Sequence, residues 1–188
     1  RQQAAAICGE IQPSWHVGDS RNIAAIAVGV EADMVFSCPP YVDLEVYSDD
    51  PADISTLDYP AFLEAYRGII AAAVAMLKPD RFAAFVVGEA RGRDGFYYGF
   101  VPDTVRAFED AGARYYNEAI YVGAIGSLPV RVGRQFEGGR KLGKTHQNVL
   151  VFCKGDWKKA TEACGPVQVS WPEGLEVDHG AEGHTQSS

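Results

Sequence analysis

Residues 33–41 read Asp33-Met34-Val35-Phe36-Ser37-Cys38-Pro39-Pro40-Tyr41. The apolar run at their start has the length and residue types of a short buried strand. It leads directly into two prolines and an aromatic ring. That placement matters because open α/β sheets hold their ligands outside the carboxyl ends of their strands. Pro39 and Pro40 each fix φ, and Pro39 also restricts Cys38, so the carbonyls of this turn point in directions set before any ligand arrives. Tyr41 offers a flat face to a base or another ring.

Upstream of this stretch, Arg1 to Gly9 reads as the last turns of a helix ended by a glycine. Trp15-His16-Val17 is expected as a short strand, and Gly18-Asp19-Ser20 as a turn whose Asp or Ser caps a helix through Ile23, Ile26 and Val28. Downstream, Val42 to Asp58 carries Asp43, Glu45, Asp49, Asp50, Asp53 and Asp58 without a Lys or Arg. Such a stretch is expected to be a solvated acidic loop, long enough to act as a lid or a partner contact. From Asp58 and Pro60, the spacing of Phe62, Tyr66, Ile69/Ile70, Ala73 and Met76/Leu77 predicts a helix that ends at Lys78-Pro79-Asp80. Arg81 to Gly88 is a continuous apolar run, as in a parallel strand covered on both faces. A loop from Glu89 to Gly99 follows, then a helix from Pro102 to Ala111 closed by Gly112. Tyr115 to Val122 and Asn148 to Phe152 read as two more strands. The glycine-rich stretch between them, Gly123 to His146, has little periodicity and is expected as a loop. A short helix from Trp157 to Ala163 completes the ordered part.

This order predicts an α/β, doubly wound sheet, mostly parallel, with right-handed crossovers and an antiparallel C-terminal hairpin. A chain of 188 residues with 47% hydrophobic content builds one domain with a proper core rather than two. The domain is expected over residues 1–163, with 164–188 as a flexible tail poor in apolar anchors. The four cysteines, Cys8, Cys38, Cys153 and Cys164, lack C-x-x-C spacing. That usage suits reduced thiols in a cytoplasmic protein and suggests no metal site. The most apolar stretch, Ile69 to Leu77, is too short to span a bilayer. A net charge of −8 argues against indiscriminate nucleic-acid binding. Against that background Arg131, Arg134, Arg140, Lys141 and Lys144 fall in one stretch that holds a single acid, Glu137. The concentration reads as a phosphate-contacting surface for DNA.

Ser37-Cys38-Pro39-Pro40-Tyr41 resembles the Asp/Asn/Ser-Pro-Pro-aromatic tetrad of the S-adenosylmethionine-dependent DNA amino-methyltransferases, enzymes of bacteria and phages. These modify the exocyclic amine of adenine or cytosine. The first tetrad position here is Cys38, and the serine stands one residue earlier. The resemblance implies a Rossmann-like methyltransferase sheet, S-adenosyl-L-methionine as cofactor and a flipped-out nucleotide in DNA as substrate. Within this catalytic element, which includes Pro40, Cys38 and the Pro39 carbonyl would face the amine, Ser37 or main-chain carbonyls would compensate for the weak thiol acceptor, and Tyr41 would stack on the base. Gly18-Asp19-Ser20 resembles the family's motif in which an acidic residue accepts a hydrogen bond from the cofactor's adenine, which implies a cofactor role for Asp19 and Ser20. His146, just before the strand Asn148 to Phe152, corresponds to the residue that borders the target-base pocket.

The resemblance covers residues 12 to 154. No segment carries the Asp/Glu-x-Phe-x-Gly-x-Gly pattern that cradles the methionine end of the cofactor in this family. An N-terminally incomplete methyltransferase domain is therefore expected, with a homodimer or a partner segment completing the pocket. Two other readings stay open. Cys38 could be a nucleophile that adds to a pyrimidine ring before carbon methylation. Alternatively, the chain could be a non-catalytic nucleic-acid-binding subunit of the same fold.

Overall fold

The computed structural model describes residues 13–41, 47–50, 53–124, 126 and 128–167. The helix expected at Arg1–Gly9, the acidic-loop residues Asp43 and Glu45, and the tail from residue 168 lie outside the described residues. Four strands form one sheet: β1 (Ala32–Ser37), β2 (Leu77–Val87), β3 (Arg114–Val122) and β4 (His146–Lys154). Their spatial order is β1-β2-β4-β3.

This corrects the expectation of a mostly parallel sheet. Only β1 and β2 pair in parallel, whereas β4 is antiparallel to both β2 and β3. The physical reason is the position of β4. Strand β3 runs in the same direction as β2 but lands one place away from it, and the returning β4 fills the gap. Both of its ladders are then antiparallel, although the last hairpin forms as expected. The strand expected at Trp15–Val17 is also absent, for these residues are irregular, and Trp15 and Val17 are 58% and 99% exposed. The helix expected through Val28 is only a 3₁₀ turn, Ser20–Asn22, followed by the single-turn α1 (Ile23–Ile26).

Helix α2 (Tyr59–Met76) begins as its sequence dictates. The Asp58 side chain accepts the Ala61 N–H at 3.0 Å, and Pro60 occupies the first turn. Its far end has no glycine cap. Instead Lys154, at the end of β4, reaches across 80 residues to donate its Nζ to the carbonyl oxygen of Val74 at 2.8 Å, and it also donates to that of Leu77. Removing a charged donor from carbonyls at a helix terminus costs about 1–3 kcal/mol. Lys154→Ala is therefore expected to lower unfolding stability by that amount in urea denaturation, with the slope of the transition unchanged.

Helices α2 and α3 (Phe100–Asp110) cover one face of the sheet. Phe62, Tyr66, Phe85, Phe100, Phe108, Leu150 and Phe152 form the core between them. Strand alternation sends Met34, Phe36, Phe82 and Ala84 to the opposite face. Helix α5 (Trp157–Cys164) lies against one end of that face, where Tyr116 meets Phe82 at a tilt of 34° and stacks on Trp157, at centroid distances of 5.2 and 6.1 Å. Met34 and Phe36 on the edge strand β1 remain 57% and 63% exposed.

The stretch expected as a glycine-rich loop contains helix α4 (Leu128–Gly139). Leu128 and Val132 lie one turn apart, and both pack where a Cβ on Gly143 would come within 3.1 Å of them. The chain leaving α4 thus folds back on its apolar stripe. A side chain at Gly143 would require the Leu128 and Val132 side chains to shift, and this contact offsets in part the poor helix propensity of Gly133 and Gly138. No helix among the described residues is long and apolar enough to cross a membrane.

Candidate active site

Because β1 and β2 are parallel and β4 is antiparallel to β2, the carboxyl ends of β1 and β2 and the start of β4 meet at one end of the sheet. Ser37 is in register with Phe85, so the Cys38-Pro39-Pro40-Tyr41 turn leaves the sheet beside Val86–Gly88. A Cβ built on Gly88 would lie 3.9 Å from the Tyr41 ring and 3.9 Å from Gln147. Tyr41, Gly88 and Gln147 are therefore neighbours. The Tyr41 ring also meets Phe100 edge-on, with centroids 6.4 Å apart and planes at 68°. Core packing thus fixes one edge of the ring. Cys38 is exposed, as a free thiol.

His146 stands at the start of β4, exposed and opposite Val122. Together with Glu89, Tyr121, Lys144 and Gln147 it lines a cavity of about 400 Å³. Both carboxylate oxygens of Glu89 are committed, accepting the Phe100 and Val101 N–H groups at 3.1 Å each. Gly99, which precedes α3, has no side chain with which to cap the helix, and Glu89 performs that task from the end of β2. Glu89, Gly88 and Gln147 were not singled out from the sequence. A usable signal was present: Gly88 ends an apolar strand as Ser37 does, and two parallel strands joined by one helix must end side by side.

The remaining sequence candidates fall into two groups. Arg131 and Arg134 are exposed on α4, and Arg131 lines a cavity with Glu89, Arg91 and Tyr97. Arg140, Lys141 and Lys144 follow α4 and line a larger cavity of about 710 Å³ that also contains His146. Arg131, Arg140, Lys141 and Lys144 thus line cavities on the His146 side of the site, whereas Arg134 is exposed on α4 and is not among those lining residues. Asp19 and Ser20 precede α1, on a turn that packs against α2. Asp19 accepts the Arg21 backbone N–H at 2.9 Å, and its carboxylate forms an ion pair with the Arg21 guanidinium at 2.8 Å. The Arg21 side-chain hydrogen bonds hold this carboxyl below its ordinary value of 3.8. Its observed work is to cap a turn and pair with a neighbour.

No protein-family model and no curated protein matches the sequence. Solved structures do match the fold. A protein of Thermus thermophilus to which DNA modification methylase activity has been ascribed, solved with S-adenosyl-L-methionine, superposes with a TM-score of 0.52 at 20% identity. That match covers 74% of this chain and 54% of that one. PvuII DNA methyltransferase, which is cytosine-N4-specific, gives a TM-score of 0.55 at 15% identity, covering 85% of this chain and 58% of its own. The chain is accordingly similar in fold to these DNA methyltransferase structures. The chain spans about half the length of the structures that it matches.

Proposed function

We propose that this chain forms the target-base half of an enzyme that transfers a methyl group from S-adenosyl-L-methionine to the exocyclic amine of adenine or cytosine in DNA. The observation that carries the reading is the meeting of Cys38–Tyr41, Gly88 and Gln147 at one end of the sheet, with His146 beside Gln147. An exocyclic amine is a poor nucleophile because its lone pair is delocalised into the ring. Acceptors that take its N–H groups favour a pyramidal nitrogen, and a rigid turn can hold them in place. In this proposal Pro39 and Pro40 fix the carbonyl acceptors, Ser37 or Cys38 supplies a second acceptor, and Tyr41 stacks on the flipped-out base. The cofactor would supply an electrophilic methyl; as the nitrogen–carbon bond forms, the sulfur–carbon bond would break with the thioether leaving, and the proton released from the alkylated nitrogen would pass to water while the acceptors hold the amine in place. Arg131, Arg134, Arg140, Lys141 and Lys144 take phosphates, and His146 borders the base.

Among the described residues Asp19 and Ser20 are the chain's candidates for the cofactor, and Arg21 would have to share the Asp19 carboxylate with it. The exposed apolar side chains of edge strand β1, Met34 and Phe36, support the further part of the proposal. In it, another segment or a second chain lies against β1 and completes the cofactor pocket. The cytoplasmic setting expected from the cysteine usage belongs to the same proposal.

The test is transfer of tritiated methyl from S-adenosylmethionine to DNA by the full-length protein, followed by digestion and separation of the nucleosides. Label in N6-methyladenine or N4-methylcytosine is the expected result, and no incorporation would overturn the reading. Cys38→Ser distinguishes the role of the thiol. A hydroxyl is a better acceptor than a thiol, and a hydrogen bond is worth about 0.5–1.5 kcal/mol. The variant is therefore expected to transfer methyl about 2- to 10-fold faster. A nucleophilic role would instead make Cys38→Ser inactive and put the label on a ring carbon.

A further inference from the structure

Residues 91–97 form a tight hairpin that the sequence presents only as part of a polar loop. Arg91 and Tyr97 make an antiparallel bridge. Gly92 and Phe96 are joined by a backbone hydrogen bond of 2.8 Å, and the Asp94 carboxylate accepts the Phe96 N–H at 3.0 Å. The Arg91 guanidinium lies 3.8 Å from the centroid of the Tyr97 ring and donates to the Gly95 carbonyl at 3.0 Å. This braced turn holds Phe96 out into solvent, where it is 74% exposed.

The cation-rich segment after α4 comes back to the same hairpin. Lys141 Nζ lies 3.4 Å from where a Cβ on Gly95 would be, and Lys144 Nζ is 6.0 Å from the Tyr97 centroid. Between the two segments is the cavity of about 710 Å³, whose wall includes Arg91, Phe96, Arg140, Lys141 and Lys144 and only one acid, Asp94. In a chain of net charge −8, this local excess of cations is matched to a polyanion. The exposed rings held among those cations suit a polyanion that also carries flat faces. Bases offer such faces only when they are unpaired, because a duplex buries them. Lys144 and His146 belong both to this cavity and to the smaller one beside Gln147, so the wall continues into the candidate active site.

We propose that the 91–97 hairpin and residues 140–144 form a platform for unpaired nucleic acid next to the target nucleotide. Phe96 stacks on a flanking base, and Arg91, Arg140, Lys141 and Lys144 engage the backbone. The inference rests on the proposed action on DNA and adds the strand state that the site recognises.

The test is fluorescence anisotropy of the full-length protein, without S-adenosylmethionine, against a fluorescein-labelled single-stranded oligonucleotide and its blunt duplex over a range of salt. Stacking on an aromatic side chain contributes about 1–3 kcal/mol per base, so Phe96→Ala is expected to weaken single-strand binding about 5- to 150-fold. Duplex binding should change less, and the salt slope should stay the same. The Lys141→Ala/Lys144→Ala double variant should instead reduce the salt slope by about 1–2. Phe96 is exposed, so an unchanged melting temperature will show that its variant is folded. Single-strand affinity within twofold of the parent for Phe96→Ala, or equal losses on single strand and duplex, would overturn the platform. These outcomes are separate from methyl transfer. A protein that methylates DNA but binds equally well without Phe96 loses only the platform, whereas one that shows the Phe96 effect but transfers no methyl loses only the enzyme assignment.

Discussion

Tyr41→Ala in the full-length protein is expected to reduce methyl transfer to DNA about 5- to 150-fold, the loss equivalent to one aromatic–base stack of about 1–3 kcal/mol. The expectation follows from how the ring is held. The ring lies beside Gly88 at the end of β2, and Phe100 meets it edge-on at 6.4 Å. A ring fixed before the substrate arrives loses little conformational freedom on stacking. Tyr41→Phe keeps both the face and the contact with Phe100, so it is expected to retain most of the activity. If stacking is the role, the alanine variant should have a raised KM for DNA and a reduced kcat, with little change in affinity for S-adenosylmethionine. Full transfer by Tyr41→Ala, with the variant shown to be folded, would remove Tyr41 from the site.

The largest effect on stability is expected at Phe108. Its ring is fully buried and stacks on Phe152 with centroids 3.8 Å apart and planes at 7°, while Phe85 meets it edge-on at 4.8 Å. Phe108 thereby joins α3 to the two central strands, β2 and β4. Truncating a buried phenylalanine to alanine costs about 3–5 kcal/mol through lost transfer energy and the cavity left behind. Against a typical total of about 5–15 kcal/mol, Phe108→Ala is expected to leave a marginal fold. Equilibrium urea denaturation followed by tyrosine and tryptophan fluorescence measures this directly. Phe108→Leu, which fills much of the volume, should lose far less, and equal losses for the two variants would show that the lost volume is not what sets the cost.

The parts of the fold that were legible in the sequence are those whose signals are local. Asp58 and Pro60 mark the start of α2, Gly112 follows α3 with φ +90°, and the apolar run Arg81 to Gly88 reads as a buried strand, which coincides with the second half of β2. The parts that misled depend on contacts distant in sequence. Trp15-His16-Val17 has the composition of a strand but no neighbouring strand to pair with among the described residues. Helix α4 is concealed by its glycines, and Leu128 and Val132 find their packing only when the chain returns at Gly143. The site divides in the same way. The turn Ser37–Tyr41 is readable because prolines constrain the backbone wherever they stand. Glu89, Gln147 and the 91–97 hairpin become visible only after the strands are laid side by side. Asp19 shows the converse, a residue with a plausible motif whose carboxylate is engaged by its own neighbour, Arg21.

The central position of β4 bears on how the polypeptide acquires its structure during synthesis. Strand β3 has no hydrogen-bonded partner strand other than β4 among the described residues, and the cap on α2 comes from Lys154 at the end of that strand. A nascent chain that has reached residue 145 therefore holds β1 and β2 on one side and a lone β3 on the other, with Phe108 lacking the ring it stacks on. Closure waits for the last strand to thread between them, a long-range step that is slow because its loop-closure entropy comes first. Until then Leu77, Phe85 and Val87 line an open edge that another chain could occupy, which makes the release of residues 146–154 from the ribosome the moment at which these four strands can join.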